Sequence, residues 1–195
     1  RKCEIKGEIN IHKDGIKHFL NTLKYPLYCL DFETFSTAVP MFNGLKPYSQ
    51  VPFQFSLYIV EEGKEPKHHE FLYSGKGDPR EEFLLTLKKV LGNNGSIVVY
   101  NQSFEIRILR ELGNHFPEHQ KWVDDVVLRV VDLLVPFRNF SYYNPIQKGS
   151  ASLKQVLPAI TGKDYSGMEI SGGMFASVEY YNMAYDDGKD VKEAL

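Results

Sequence analysis

Two carboxylates lie two residues apart in the segment Leu30-Asp-Phe-Glu-Thr34, directly after a short apolar run. In an extended strand, residues two apart project to the same face, so Asp31 and Glu33 would stand side by side while Phe32 points into packing. Adjacent anions need a cation, and magnesium or manganese ions bind oxygen ligands and activate water in phosphoryl transfer. The spacing therefore indicates a metal-dependent site. The alternative is a strand end whose carboxylates pair with basic residues.

A second junction between a strand and a helix supplies further polar residues. Residues 96–100 have the composition of a strand, Asn101 can cap the helix that follows, and Glu105 lies in the first turn of that helix. We expect Asp31, Glu33 and Glu105 to converge on one solvent-accessible cleft. Taken alone, Glu105 has a second interpretation, because a helix dipole favours an acidic residue in the first turn.

Strands come first in the predicted order of elements, and strand–helix units follow. The predicted strands cover residues 27–31, 53–60, 69–73 and 96–100, and the predicted helices cover residues 14–23, 78–91, 101–112, 117–134, 152–160 and 173–185. Cys29 falls in the first strand, where a buried reduced thiol is the ordinary state. This order predicts an α/β fold in which a mixed sheet is flanked by helices.

Length and composition limit the class of protein. The 195 residues, 43% of them hydrophobic, predict one domain spanning residues 1–195. A net charge of -2 argues against a protein that coats duplex DNA, so any nucleic acid must be held locally. There is no apolar run of bilayer length and no signal segment, so we expect a cytoplasmic protein without a membrane partner.

The ends of the sequence and its missing motifs add further expectations. The chain begins at Arg1 and stops at Leu195 inside a segment of helical character without a cap, which indicates a fragment truncated at its C-terminal end. Other domains of a longer parent chain are therefore expected partners. The paired His68 and His69 have no spaced cysteine or histidine, which argues against structural zinc. Walker loops and Gly-x-Ser-x-Gly elbows are also absent from the sequence.

The two acidic segments resemble motifs of the DEDD, or DnaQ-like, 3′-to-5′ exonucleases, which have a ribonuclease-H-like fold. Leu30-Asp-Phe-Glu-Thr34 matches their first motif, and Tyr100-Asn-Gln-Ser-Phe-Glu-Ile106 resembles the second, with glutamate as a departure at position 105. The chain is most similar to an uncharacterised bacterial family of that superfamily. The matching segments are Tyr25-Pro26, Pro52-Phe-Gln54, residues 101–105 and Gly149-Ser-Ala-Ser-Leu-Lys-Gln-Val-Leu-Pro158.

The resemblance implies a ribonuclease-H-like sheet and two magnesium or manganese ions in the complete site. It implies that Asp31 bridges the ions, that Glu33 binds the ion that activates water, and that Glu105 lies near the second ion. It also implies substrate-binding roles for Thr34 and Asn101. Phe104 belongs to the second motif and has the same expected role. Removal of nucleotides from a 3′ end of DNA or RNA, with a single-stranded end as partner, is the activity it implies.

Three further groups of residues could belong to the site, and each also has a purely structural interpretation. Asp132 resembles an aspartate that supports the site in these enzymes, or it is an exposed helical charge. Lys154, together with nearby tyrosines at 142 and 143, can combine phosphate contact with base stacking, or these tyrosines form an aromatic packing loop. The family's late motif is Tyr-x-x-x-Asp or His-x-x-x-x-Asp. Tyr181 and Asp186 have the spacing Tyr-x-x-x-x-Asp and are a candidate for it, or Asp186 belongs to a turn.

The fourth carboxylate and its tyrosine or histidine are expected beyond Leu195, with Asp186, Asp187 and Asp190 as the candidates within the chain. The sequence leaves two hypotheses. The first is a divalent-metal-dependent nuclease that hydrolyses phosphodiester bonds. The second is a catalytically weak or inactive ribonuclease-H-like module that binds nucleic acid or protein within a larger chain.

Overall fold

A computed structural model describes residues 7–163 and 173–185. Its centre is a five-stranded sheet of order β4-β3-β2-β5-β6, and a two-stranded ribbon pairs β1 with β7. The strands are β1 (Asn10–Ile11), β2 (Leu27–Phe35), β3 (Val51–Val60), β4 (Lys67–Leu72), β5 (Ser96–Val99), β6 (Val130–Asp132) and β7 (Tyr142–Tyr143). The helices are α1 (Lys13–Leu20), α2 (Arg80–Val90), α3 (Ser103–His115), α4 (Gln120–Val127), α5 (Val135–Arg138), α6 (Leu153–Thr161) and α7 (Gly173–Tyr185). The predicted α/β class with a mixed sheet is confirmed.

Strand direction divides the sheet into two halves. The chain first runs through the antiparallel meander β2-β3-β4, and β5 and β6 then add parallel to β2 on its other edge. In the register, Asp31 lies opposite Ser56 and Glu33 opposite Gln54, with an irregularity between Glu33 and Thr34. The parallel half brings the carboxyl ends of β2, β5 and β6 to one edge.

The main core lies between one face of the sheet and helices α2, α3 and α4. Buried residues alternate along β2, so Leu30 and Phe32 face this core while Asp31 projects from the opposite face. Phe32 packs edge-on against Phe83 of α2, with ring centroids 5.1 Å apart. Burial of a side chain of this size contributes roughly 1.5–3 kcal/mol, which fixes the strand register firmly.

A second core cluster attaches α7 to the end of β2. The ring of Tyr180 stacks on Phe53 at 3.8 Å between centroids and also lies beside Phe35. Ser177 Oγ donates a hydrogen bond of 2.6 Å to the carbonyl oxygen of Thr34. This helix therefore packs directly after the Asp-x-Glu motif, and its predicted bounds of 173–185 are confirmed.

Three predictions were wrong. Residues 117–134 do not form one helix, because α4 ends at Val127 and residues 130–132 pair with β5 as a strand. Asn101 is not the helix cap, since α3 begins at Ser103 and Asn101 adopts a left-handed turn with φ of 71°. Cys29 is exposed, because strand alternation places it on the face opposite the main core.

No helix in the described ranges is long and apolar enough to cross a bilayer.

Candidate active site at the ends of three strands

The acidic residues singled out in the sequence lie at the carboxyl ends of three adjacent strands. Asp31 and Glu33 belong to β2, Glu105 follows β5 in the first turn of α3, and Asp132 ends β6. The register pairs Asp132 directly with Val99, the last residue of β5. In open α/β sheets, the carboxyl ends of parallel strands are where ligands bind. The topology therefore places four carboxylates at the edge where a site is expected.

Asp31 and Glu33 share the face of β2 that points away from the main core. The side chain of Asp31 is open to solvent, and that of Glu33 is half-buried. Neighbouring protein atoms partly desolvate Asp31 and raise its pKa, although a hydrogen bond from the Phe32 backbone opposes this shift. Burial, followed by the negative charge of Asp31, raises the pKa of Glu33 to about 7. The charged forms of both carboxylates are therefore disfavoured in the metal-free protein.

Glu105 is the most enclosed of these carboxylates. Its side chain is 3% exposed, and Oε2 has no hydrogen-bond partner among the described residues. Burial raises its pKa to about 7, with smaller contributions from the charges of Asp31 and Asp132 and an opposing hydrogen bond from its own backbone. A favourable helix dipole alone does not account for a buried, unpartnered carboxylate oxygen, because such a group is costly to desolvate.

Asp132 holds the turn that leads into α3. It is buried, and its Oδ1 accepts hydrogen bonds of 2.9 Å from the backbone nitrogens of Asn101 and Leu134. Asn101 has a left-handed backbone, and its Oδ1 accepts a bond of 3.0 Å from Ser103 Oγ. The alternative that Asp132 is an exposed helical charge is wrong, because it ends a strand and lies inside the protein. It fixes the path of the chain toward Glu105.

The carboxylates interact through their charges, but the described residues do not form a complete metal-coordination site. Asp31 raises the pKa of both Glu33 and Glu105, and Asp132 raises that of Glu105, so each feels the charge of a neighbour. Within residues 7–163 and 173–185, however, no three histidine, cysteine, aspartate or glutamate side chains are arranged to hold a metal ion together. The carboxylates therefore interact electrostatically in this structure. Their joint binding of a metal ion remains a prediction.

Thr34 is anchored to its surroundings at both of its polar groups. Its hydroxyl donates a bond of 2.6 Å to Gln50 Oε1, and its carbonyl oxygen accepts the bond from Ser177. Thr34 also lines a cavity of about 540 Å³ together with Ser177 and Tyr181 of α7. Neither Gln50 nor Ser177 was predicted, because no local pattern reveals contacts with Thr34 across 16 and 143 positions of the chain.

The remaining predicted substrate-binding residues lie at two different places. Phe104 packs partly buried against the main core, with the Arg107 guanidinium 5.6 Å from its ring centroid. Lys154 is exposed in the first turn of α6, and the residues just before it, Ser152 and Leu153, line a cavity of about 420 Å³ that also contains Asn101. Lys154 is thus near the second motif, whereas Phe104 is mainly a packing residue.

The loop with Tyr142 and Tyr143 and the acidic residues near the C-terminal end also carried predictions. Tyr143 is buried, and the hydroxyl of Tyr142 donates to the carbonyl oxygen of Ala159, so the packing alternative describes this loop. Tyr181 lies on α7 beside Thr34. The candidates for the fourth carboxylate lie outside the described residues; they are Asp186, Asp187 and Asp190.

Comparisons with known proteins give one family and two distant relatives. The model of the family described as "Domain of unknown function (DUF2779)" matches residues 28–152, a range that contains all four carboxylates at the strand ends. The uncharacterized protein MG366 of Mycoplasma genitalium is 25% identical over 91% of this chain and 27% of its own length. The uncharacterized protein UU173 of Ureaplasma parvum is 26% identical over 79% of this chain and 24% of its own length. The chain thus spans about a quarter of these relatives, and no solved structure matches it.

Proposed function

We propose that this chain, which belongs to the family described as "Domain of unknown function (DUF2779)", is a divalent-metal-dependent nuclease that hydrolyses phosphodiester bonds of DNA or RNA. The observation that carries the proposal is Glu105, a buried glutamate with an unpartnered oxygen beside two other carboxylates. Perturbed carboxylates grouped at the ends of parallel strands are typical of functional sites. The resemblance of the two acidic segments to DEDD exonucleases favours a ribonuclease-H-like fold and 3′-to-5′ exonuclease activity.

By chemical type, the donors at the strand ends suit a hard divalent cation. Asp31, Glu33 and Glu105 supply oxygen ligands, which magnesium and manganese prefer. Burial raises the pKa of all three, and the negative charge of Asp31 adds to the shifts of Glu33 and Glu105. A cation would relieve the repulsion between them and give Glu105 Oε2 a partner. We therefore propose that these three residues hold Mg²⁺ or Mn²⁺, with two ions in the complete site. Such ions, when bound, polarise a phosphoryl oxygen and lower the pKa of water.

Residues at and around the three carboxylates would position the site and release protons when a cation binds. Asp132 fixes the Asn101 turn through two backbone hydrogen bonds, which keeps Glu105 aimed at the strand ends. With pKa values of about 7, Glu33 and Glu105 exchange protons near neutral pH, so both carboxylates lose their protons readily when a cation arrives. Thr34 is held from both sides and would keep the first motif rigid against an incoming strand.

Polar side chains near the carboxyl ends of the strands support a proposal for the substrate class. Asn101 lines one cavity, with Lys154 next in the chain to its lining residue Leu153, and Thr34 lines another, so polar groups suited to a strand are available near both motifs. A single-stranded 3′ end of DNA or RNA is the proposed substrate. We propose that the protein works in the cytoplasm, where such substrates occur. Because the chain spans about a quarter of its relatives, other domains of a parent chain are proposed partners.

The test is manganese-dependent degradation of labelled oligonucleotides. Wild type, Asp31→Asn and the matched control Asp14→Asn should be assayed on single-stranded and duplex DNA and RNA. Asp14 is an exposed aspartate in the first turn of α1 that lines neither cavity next to the two motifs, so its variant should retain full activity. We expect Asp31→Asn to lose activity by at least about a hundredfold, as is usual when one catalytic group is removed. Equal degradation by all three proteins would refute the proposal.

A second candidate function is favoured by one specific observation. The described residues contain no group of three side chains arranged to hold a metal ion, and the expected fourth carboxylate lies outside them. An inactive ribonuclease-H-like module that binds nucleic acid or protein would have this character. Calorimetric titration of the protein with Mn²⁺ separates the two functions. Binding of two ions supports the nuclease, and no binding supports the inactive module.

A further inference from the structure

A second cavity, separate from the acidic strand ends, lies between the loop that joins β2 to β3 and the helices α2 and α3. Its volume is about 340 Å³, which is within the range of small-molecule sites. The loop contributes Lys46 and Gln50, α2 contributes Arg80, and α3 contributes Glu111 and His115. None of Asp31, Glu33 or Glu105 lines it, so the function proposed for the strand ends does not explain it.

Arg80 is a buried cation that the protein holds rigidly. It is 5% exposed, and its Nε and Nη2 both bond to the Asp78 carboxylate at 2.6–3.0 Å. Nη2 also donates a bond of 2.8 Å to the carbonyl oxygen of Asn43. Nη1 makes no hydrogen bond to any residue that the structure describes. A guanidinium carries five N–H groups in a fixed plane, so Arg80 offers the cavity preorganised donors that the protein itself does not use.

Lys46 and His115 also line this cavity. Lys46 forms no ion pair with a described residue, and the His115 ring makes no hydrogen bond within the described ranges. Gly44 has a φ of 79°, and a Cβ at this position would lie 2.9 Å from ring atoms of His115, so the absence of a side chain at Gly44 makes room for the ring. The Lys46 ammonium group and the ring nitrogens of His115, whose ring packs edge-on against Phe116, are therefore available to a ligand.

The negative charge near the cavity is already matched. Among the residues that are described as lining the cavity, Glu111 is the one with a carboxylate. It pairs with Arg107 at 3.4 Å. Arg80 is balanced by Asp78. Lys46 remains as a positive charge without an ion pair among the described residues, and the His115 ring adds a hydrogen-bonding group. The lining is therefore suited to an anion.

We propose that this cavity binds a phosphate group carried by a nucleotide or a polynucleotide. Arginine and lysine together supply the planar donors and the point charge that phosphate oxygens accept. The volume exceeds what a bare phosphate fills, which leaves room for the sugar or base attached to it. Gln50 lines both this cavity and the one beside Thr34, and it accepts a hydrogen bond from the Thr34 hydroxyl. A bound phosphate would thus lie close to the chain segment that carries the first acidic motif.

Use of this cavity by a substrate strand rests on the proposed nuclease function, whereas phosphate binding does not. Binding should therefore be measured by calorimetry in EDTA, with three probes: inorganic phosphate, a nucleoside 5′-monophosphate and a short oligothymidylate. The variant Lys46→Glu reverses the charge of this lysine. The matched control is Lys121→Glu, which makes the same change at an exposed lysine of α4 outside the cavity. We expect Lys46→Glu to weaken binding at least tenfold, as for loss of a charged hydrogen bond, and Lys121→Glu to leave it unchanged.

A second measurement locates the ligand. In amide NMR spectra of the wild type, phosphate should shift the resonances of Gly44 and Asn114, which line the cavity, and His115→Ala should reduce these shifts. Saturable binding of phosphate or monophosphate identifies a small-anion site, and binding of the oligonucleotide alone identifies a site for a strand backbone. The proposal is overturned if no probe binds, if the two lysine variants weaken binding equally, or if the Gly44 resonance does not move.

The same variants separate this proposal from the nuclease function. Asp31→Asn should abolish cleavage and leave phosphate binding in EDTA intact, because Asp31 does not line the cavity. If the wild type binds phosphate at Lys46 and never cleaves, the nuclease proposal fails and the phosphate cavity stands. If it cleaves and Lys46→Glu binds every probe as the wild type does, the cavity proposal fails and the nuclease stands.

Discussion

Replacing Glu105 by glutamine should stabilise the metal-free protein at alkaline pH. The side chain is 3% exposed, and its pKa is raised from an ordinary 4.5 to about 7. One pH unit of such a shift corresponds to about 1.36 kcal/mol, so ionising Glu105 in the folded protein costs about 3 kcal/mol. Glutamine has the same shape and does not ionise, and it therefore avoids this cost.

The sign of the pH dependence follows from the raised pKa. Below pH 4.5, Glu105 is protonated in the folded and unfolded states alike, and the protein keeps its full stability. As the pH rises from 4.5 through about 7, the unfolded state releases the proton first, and stability is lost. The difference between Glu105→Gln and wild type should therefore be near zero at pH 4.5 and reach about 3 kcal/mol at pH 8.

The assay is urea unfolding followed by circular dichroism in EDTA at several pH values between 4.5 and 8. Glu118→Gln serves as the control, because Glu118 is an exposed acidic residue in the short 3₁₀ helix after α3. Its unfolding free energy should follow the wild type at every pH. The reasoning about Glu105 is refuted if its variant is no more stable than wild type at pH 8, or if the gain is the same at all pH values.

Three further predictions concern neighbouring residues. Affinity for Mn²⁺ should rise between pH 6 and 8 in calorimetry, because Glu33, with a pKa of about 7, must lose its proton to bind a cation; an affinity independent of pH contradicts this. Asp132→Ala should cost about 2 kcal/mol in urea unfolding, since the N–H groups of Asn101 and Leu134 lose their acceptor; an unchanged midpoint would speak against its positioning role. Phe32→Ala should cost about 3–5 kcal/mol in the same measurement through the cavity it leaves beside α2, and a loss below about 1 kcal/mol would contradict the packing described for β2.

The parts of the fold that could be predicted are those with local signals. The apolar run of β2 and the apolar stripe of α3 depend on neighbouring residues. The start of β2 was therefore predicted correctly, although the strand ends at Phe35, four residues later than predicted, and the helix with Glu105 was predicted within three residues at each end. The topology then follows, because a strand, a turn and a helix leave few ways to add β5 to the sheet. The expected meeting of the two acidic motifs at one edge depended only on this order.

The parts that could not be predicted depend on contacts between distant segments. The valine-rich residues 126–131 suit a helix and a strand alike, and pairing with β5 decides the outcome, which moves Asp132 from a surface helix to a buried strand end. The bond from Ser177 to Thr34 spans 143 positions in the chain. Cys29 was misjudged because an apolar run does not reveal which face of the sheet the helices cover.

The attachment of α7 to the end of β2 has a consequence for synthesis on the ribosome. Phe35 and Phe53 emerge more than a hundred residues before Tyr180, whose ring covers them in the finished protein. Until that helix arrives, the nascent chain exposes an aromatic patch next to the acidic motif. Exposed apolar surface on a partly made domain promotes association with other chains. Any protein shortened before residue 173 would carry this patch permanently and should aggregate more readily than one that retains the helix.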